Sequence, residues 1–317
     1  MKGPIFNQDS TEFFYVRDAR EISGEAVDDW VDNFARIGIG TVVVCVCAMR
    51  TNYASSVWEP DYHGYDPDGP DDQPVLAYLP PETIPATRRR LDSLKALVDQ
   101  GVTFHERALA RCRQYGIGAW VSVRMNDLHD VDLEDSPLLS SFYKQQRAEG
   151  KLRVPHRQVS WQDRALDWER PEVQEHYLKL INELLQTPCL DGIELDWMRF
   201  GYHFQPGREL QGGQALTSWL RTVREHVREA SRRVGRPIQL GVRVPSRPDT
   251  ARSLGMDAVA WARAGLVDLV VPTPFWETCE FHMPIGTWRR LLESTNASLA
   301  GGLEIRYQPM RGGEAQM

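Results

Sequence analysis

Seven short apolar runs recur along the chain, and most of the segments between them carry apolar residues at helical spacing. The run "TVVVCVC" (41–47) is β-branched and continuous, as a strand buried on both faces should be. "AWVSVRM" (119–125), "DGIELDWMRF" (191–200), "IQLGVRVP" (238–245), "VDLVVPTPFW" (267–276) and "LAGGLEI" (299–305) supply five more, and "EFFYV" (12–16) reads as the first strand. The intervening segments read as helices. "SGEAVDDWVDNFARIG" has Ser23 as its N-cap and Val27, Trp30, Val31 and Phe34 on one face. "FHERALARCRQYGIG" ends at a glycine, and "PEVQEHYLKLINELLQ", "ALTSWLRTVREHVREASRRVG", "MDAVAWARAGL" and "IGTWRRLLESTN" follow.

Strands alternating with helices imply right-handed βαβ crossovers and a parallel sheet. The "GIG" at 38–40 and the one at 116–118 each precede a strand, so each is a helix stop and not a phosphate loop. Seven units without a G-x-G-x-x-G turn favour an α/β fold of the (β/α)8 TIM-barrel type over a dinucleotide-binding sheet. Because the count stops at seven, the barrel is expected to lack its last βα unit. A single barrel domain, 1–317, accommodates the length, with long loop insertions at about 48–87 and 126–170. An absent eighth unit leaves strands one and seven as open edges. The N-terminal segment, the C-terminal tail or a second copy in a homo-oligomer is the expected cover.

Net charge is −7 with Lys and Arg spread along the chain, which argues against a nucleic-acid partner. The run "RRR" at 88–90 reads as a solvated helix start. No stretch approaches 18 apolar residues, so no membrane span is expected. Five cysteines without a C-x-x-C, two of them (Cys45 and Cys47) on one strand face, suggest reduced buried thiols and a cytoplasmic chain. "MKGPIFNQDSTEFF" lacks the apolar run of a signal peptide, although a chain trimmed of a leader would read the same.

In "DGIELDW" the alternation of a strand sends Ile193, Leu195 and Trp197 to one face and Glu194 and Asp196 to the other. A buried carboxylate is costly unless it is paired or used. In a parallel barrel the active site lies at the C-terminal ends of the strands, and here those ends are the polar places. Arg124, Asn126, Asp127 and His129 follow strand three. Glu194, Asp196, Arg199, Tyr202 and His203 sit on or after strand four. Arg243 ends strand five, Trp276 and Glu277 end strand six, and Glu304 ends strand seven. Aromatic faces and a few fixed polar groups are what a sugar ring needs.

Glycoside hydrolysis uses two carboxyl groups flanking the scissile bond. Glu194 and Asp196 are neighbours on one strand and cannot easily flank a bond together. The expectation is therefore Asp196 as nucleophile or charge stabiliser and Glu277 as acid/base, with Glu304 its competitor and Glu194 an orienting group. Repulsion from Glu194 demands a cation near Asp196, with Arg243 and Arg199 the candidates. Arg124, Asn126, Asp127, His129, Arg199, Tyr202, His203, Arg243 and Trp276 are expected to hold a carbohydrate, and the arginines hint at an acidic sugar. Other readings stand beside these: Asp196 as a structural partner of an arginine, Glu277 as a solvated loop residue, Trp276 as rim packing. His129 with Asp127 and Asp130 is too weak a pattern for a metal, and no metal or cofactor is expected.

The stretch "DGIELDW" is similar to the strand-four signature of chitinase-type family 18 glycosidases, D-G-x-D-x-D-x-E, but Met198 stands where that family's catalytic acid belongs. The chain more closely resembles the family-10-like glycosyl-hydrolase barrels of bacteria. "RMNDLHD", "ALDWERPEVQEHYLKLINELLQ", "DGIELDWMRFGYHF", "GVRVP" and "VDLVVPTPFW" look like that group's strand-end blocks in the same order. The resemblance implies a (β/α)8 barrel that acts on, or binds, a polysaccharide. A non-catalytic carbohydrate-binding barrel is the alternative.

Overall fold

The structure, a computed structural model, describes residues 3–9, 11–134, 136–275 and 282–303. In chain order the main elements are β1 (Ile5–Gln8), α1 (Thr11–Tyr15), α2 (Gly24–Arg36), β2 (Thr41–Cys45), α3 (Ile84–Asp99), α4 (Phe104–Gln114) and β3 (Gly118–Arg124). They continue with α5 (Ser141–Ala148), α6 (Pro171–Leu184), β4 (Gly192–Asp196), α7 (Glu209–Val234), β5 (Gln239–Pro245), α8 (Pro248–Ser253), α9 (Ala258–Arg263), β6 (Leu269–Thr273), α10 (Ile285–Leu292) and β7 (Ser298–Leu299). The chain divides into two compact units. One is Met1–Val123 with His129–Gln145 and Asn182–Asp191; the other is Arg124–Leu128 with Gln146–Ile181 and Gly192–Met317.

In the first unit β1, β2 and β3 are parallel neighbours, Ile5 opposite Thr41 and Thr41 opposite Gly118. All five residues of β2 are buried, as its unbroken β-branched run predicts. Helix α2 packs on α4, and Arg107 and Arg111 on α4 fork onto Asp28 and Asp32 on α2. Ser23 caps α2 by accepting the Ala26 N–H at 3.1 Å. Ser23→Ala is expected to lower the unfolding free energy by about 1 kcal/mol, read from denaturant titration.

Two expectations are corrected here. "EFFYV" is not a strand: Thr11–Tyr15 is a short helix, and the first strand is Ile5–Gln8. The helix buries Phe13 and Phe14 against Phe104, with Trp30 closing on Phe13. Adjacent large side chains can both be buried on a helix turn that lies in a pocket, whereas a strand would send them to opposite faces. The run "RRR" is not simply solvated. Helix α3 begins earlier, at Ile84, and Arg90 is buried against Asp61 at 2.6 Å. Arg88 donates to Asp71 and to the Gly69 carbonyl. These contacts bind the loop after β2 onto α3, where Tyr65, Val75 and Leu76 pack on Leu91.

In the second unit β4, β5, β6 and β7 run parallel in sequence order. The register sets Glu194 opposite Gly241 and Asp196 opposite Arg243. Helix α7 ends at Gly235, whose φ of +71° only a glycine adopts at little cost. Trp219 on α7 meets Trp197 at 6.1 Å and Trp168 at 5.0 Å. The Ile193–Leu195–Trp197 face of β4 therefore turns to the helical layer, and Glu194 and Asp196 point the other way.

Candidate active site

Asp196 closes β4, and both of its carboxylate oxygens are engaged. Oδ1 accepts the Met198 N–H at 2.9 Å, and Oδ2 accepts Nη1 of Arg243 at 3.1 Å. The arginine demanded by the paired acids is thus Arg243, brought alongside by the β4–β5 register. The pair is largely buried, with side-chain exposures of 7% for Asp196 and 18% for Arg243. An ion pair at that depth interacts more strongly than one in open water, because the local dielectric is lower. Glu194, also buried, lies on the same face two residues earlier, opposite the one β5 position without a side chain, Gly241.

The segment after β3 joins this carboxylate through the backbone: the Met125 N–H donates to the Asp196 carbonyl at 3.0 Å. Arg124 and Asp127 flank it as a buried pair 3.6 Å apart. Asn126 is a three-way staple. Its amide nitrogen donates to the carbonyls of Leu166 and Tyr202, and its Oδ1 accepts the Leu166 N–H. The Trp168 indole donates to the Met125 carbonyl at 2.8 Å. Three loops that are distant in sequence are thereby locked around the end of β4.

His203 is 2% exposed, with Nε2 3.1 Å from the Trp197 carbonyl and Nδ1 3.4 Å from Asn126. Burial pushes its pKa down to about 4. It is an internal brace for the loop after β4 in this structure. Asn126 likewise spends its amide on backbone groups.

Beyond these lies an aromatic surface. Tyr202 and Phe275 stack at 6.2 Å with a 22° interplanar angle, and Trp161 meets Phe200 and Tyr202 edge-on. Arg153 lies over the Tyr202 ring at 5.3 Å, and Arg199 over Phe200 at 5.6 Å. A Cβ at Gly201 would fall 2.7 Å from the Phe275 ring, so the stack requires glycine there. All four rings are partly exposed.

Of the residues singled out from the sequence, Glu194, Asp196, Arg243, Arg124, Asn126, Asp127 and His203 cluster at the end of β4, with Arg199 and Tyr202 on the aromatic surface. His129 is exposed and belongs to the first unit. Glu277, Trp276 and Glu304 lie outside the described residues. Arg153, Trp161 and Phe200 were not singled out, because nothing in the local pattern of their loops marks a side chain that will meet a ring about forty or fifty residues away. Among the described residues no three His, Cys, Asp or Glu side chains gather as metal ligands, and no helix is long and apolar enough to cross a membrane.

No protein-family model matches the chain, and no curated protein matches it. Among solved structures it is similar to the pneumococcal virulence factor StrH, with 10% identity over 95% of this chain and 64% of that one and a TM-score of 0.48. It is also similar to chitinase ChiW of a Paenibacillus species (14% identity, 94% of this chain and 22% of that one, TM-score 0.47). The endo-β-1,4-mannanase of Thermotoga petrophila gives 11% identity, 86% and 51% coverage and a TM-score of 0.43. The chain spans less than two thirds of the length of each.

Proposed function

We propose that the protein is a glycoside hydrolase acting on a poly- or oligosaccharide at the C-terminal ends of a barrel's strands. The observation that carries this reading is the buried Asp196–Arg243 pair at the end of β4, backed by Glu194 on the same face. Asp196 serves as nucleophile of a retaining reaction. The Arg243 guanidinium and the Met198 amide stabilise its negative charge and aim it. The second carboxyl, the general acid, comes from Glu277 or Glu304. The ring faces of Tyr202, Phe275 and Trp161 offer stacking surfaces for sugars, and Arg124 and Arg199 offer donors to hydroxyl or acidic substituents.

A second reading, a carbohydrate-binding protein without turnover, draws on one specific observation: both oxygens of Asp196 already hold protein donors. One experiment separates the two. The protein is incubated with a panel of aryl glycosides and neutral and acidic glycans, and the products are followed by proton NMR. The hydrolase reading expects cleavage, with the first-formed anomer matching that of the substrate. Saturable glycan binding without any cleavage would replace it by the binding reading. First formation of the opposite anomer would make the mechanism inverting, for which the two carboxyls stand about 6.5–9.5 Å apart instead of about 5–5.5 Å.

A further inference from the structure

Arg153 sits at the aromatic surface in a position that costs energy. It is 8% exposed, and burial pulls its pKa down from the usual arginine value. Nε donates to the Phe204 carbonyl and Nη1 to the Gln162 carbonyl at 3.3 Å. Those oxygens carry only partial charges, and Arg153 forms no ion pair among the described residues. The acids that act on it from farther off are Asp163 and Glu209. Asp163 is already committed to Arg157 at 2.9 Å and to the N–H groups of Val159 and Ser160. Glu209 stands in the first turn of α7, whose positive end already favours it. A buried cation without a close counter-charge is costly unless it is used.

The backbone that carries Arg153 is fixed. Its N–H donates to the Ala165 carbonyl at 2.7 Å, and Leu152 bridges Leu166. Leu166 is stapled in turn by Asn126 to the Tyr202 carbonyl. The Arg153 guanidinium is therefore held over the Tyr202 ring at 5.3 Å, and Trp161 meets the same ring at 6.1 Å. Trp161 and Tyr202 are both partly exposed. Trp168, Trp219, Trp261 and Trp288 each donate their indole N–H to a protein oxygen. The Trp161 indole N–H, the Tyr202 hydroxyl and Nη2 of Arg153 meet no acceptor among the described residues. Three donors thus gather around one ring. The corner adjoins the end of β4, since His203 feels the charges of both Arg153 and Asp196.

We propose that Arg153, the Tyr202 hydroxyl and the Trp161 indole N–H form a subsite for the carboxylate of an acidic sugar, and that Arg153 selects uronate-bearing over neutral glycans. A carboxylate offers two oxygens to these donors and brings the negative charge that Arg153 lacks nearby. A neutral ester in the same place leaves the buried guanidinium uncompensated. This inference rests on the carbohydrate reading of the site, but it is read by binding and does not require turnover.

The test is calorimetric titration of the full chain with trigalacturonate, trimannuronate and a glucuronate-bearing xylotriose, each beside its methyl ester. At least one acid is expected to bind saturably and at least about tenfold tighter than its ester. The ratio of the two affinities is compared within each variant, so a general loss of affinity cancels. R153M should bring the ratio to within about twofold, and R153K should fall between, since lysine keeps the charge but loses the fork. Y202F and W161F each remove one donor and keep a ring, and each should shrink the ratio about threefold or more. If circular dichroism shows R153M unfolded, Y202F and W161F decide. Acid bound no tighter than ester by the parent overturns the subsite and leaves the carbohydrate reading standing. So does a preference that survives unchanged in folded R153M, or in both Y202F and W161F. A preference without cleavage of any glycan upholds the subsite and removes the hydrolase. No saturable binding of any probe overturns both.

Discussion

Asp196→Asn is expected to lower turnover of any cleaved glycan on the order of a thousandfold or more, while glycan affinity changes by less than about fivefold. The amide is nearly isosteric with the carboxylate and can still accept the Met198 N–H now held by Oδ1. What disappears is the charge: no oxygen remains that can attack or stabilise an oxocarbenium-like centre. The change also strips Arg243 of its counter-charge, so stability should fall, by about 1–3 kcal/mol for a pair that retains some solvent access. Activity is therefore compared well below the melting transition of the variant. Glu194→Gln offers the contrast. As an orienting group, Glu194 should affect binding and turnover together. Turnover by Asp196→Asn within tenfold of the parent would remove Asp196 from the nucleophile's role.

Acid should unfold the protein earlier than its carboxylates alone require. Two buried histidines, His105 and His203, have pKa values pushed down to about 4 from 6.5, in each case chiefly by burial. Between those values the unfolded chain takes up a proton at each site and the folded chain does not. Stability is therefore fully present above about pH 6.5 and is lost as pH falls toward 4, by roughly 3 kcal/mol per histidine. For His105 the physical cause is plain: Nδ1 is buried with no hydrogen-bond partner among the described residues, and the ring is wedged against Tyr53 at 4.6 Å. Urea unfolding at intervals from pH 7.5 to 4 gives the slope. His203→Gln should flatten it between pH 6.5 and 4, whatever its effect at pH 7.5. An unchanged slope in that variant would show that His203 already carries its proton in the folded state.

The sequence by itself determined the alternation of elements and the two faces of β4. The unbroken β-branched run of β2 is stable only where both faces of a strand are covered; β2, β4, β5 and β6 fall within the apolar runs read as strands, and β3 begins one residue before its run, at Gly118. Local caps needed no tertiary information either: Ser23 starts α2 and Gly235 ends α7 because the groups they satisfy are three or four residues away. The separation of Glu194 and Asp196 from Ile193, Leu195 and Trp197 follows from a period of two. Tertiary structure decided the rest. "EFFYV" is too short for its periodicity to choose between helix and strand, and a cluster with Phe104 and Trp30 chose. Arg90 is buried because Asp61, 29 residues earlier, reaches it. Asn126 and His203 hold polar atoms that could equally meet a ligand or an orphaned carbonyl; the carbonyls of Leu166, Tyr202 and Trp197 reach them only once the chain is folded. A side chain's chemistry is local, but what it must satisfy is set by whichever backbone groups burial brings within 3 Å or so, and burial is a property of the whole fold.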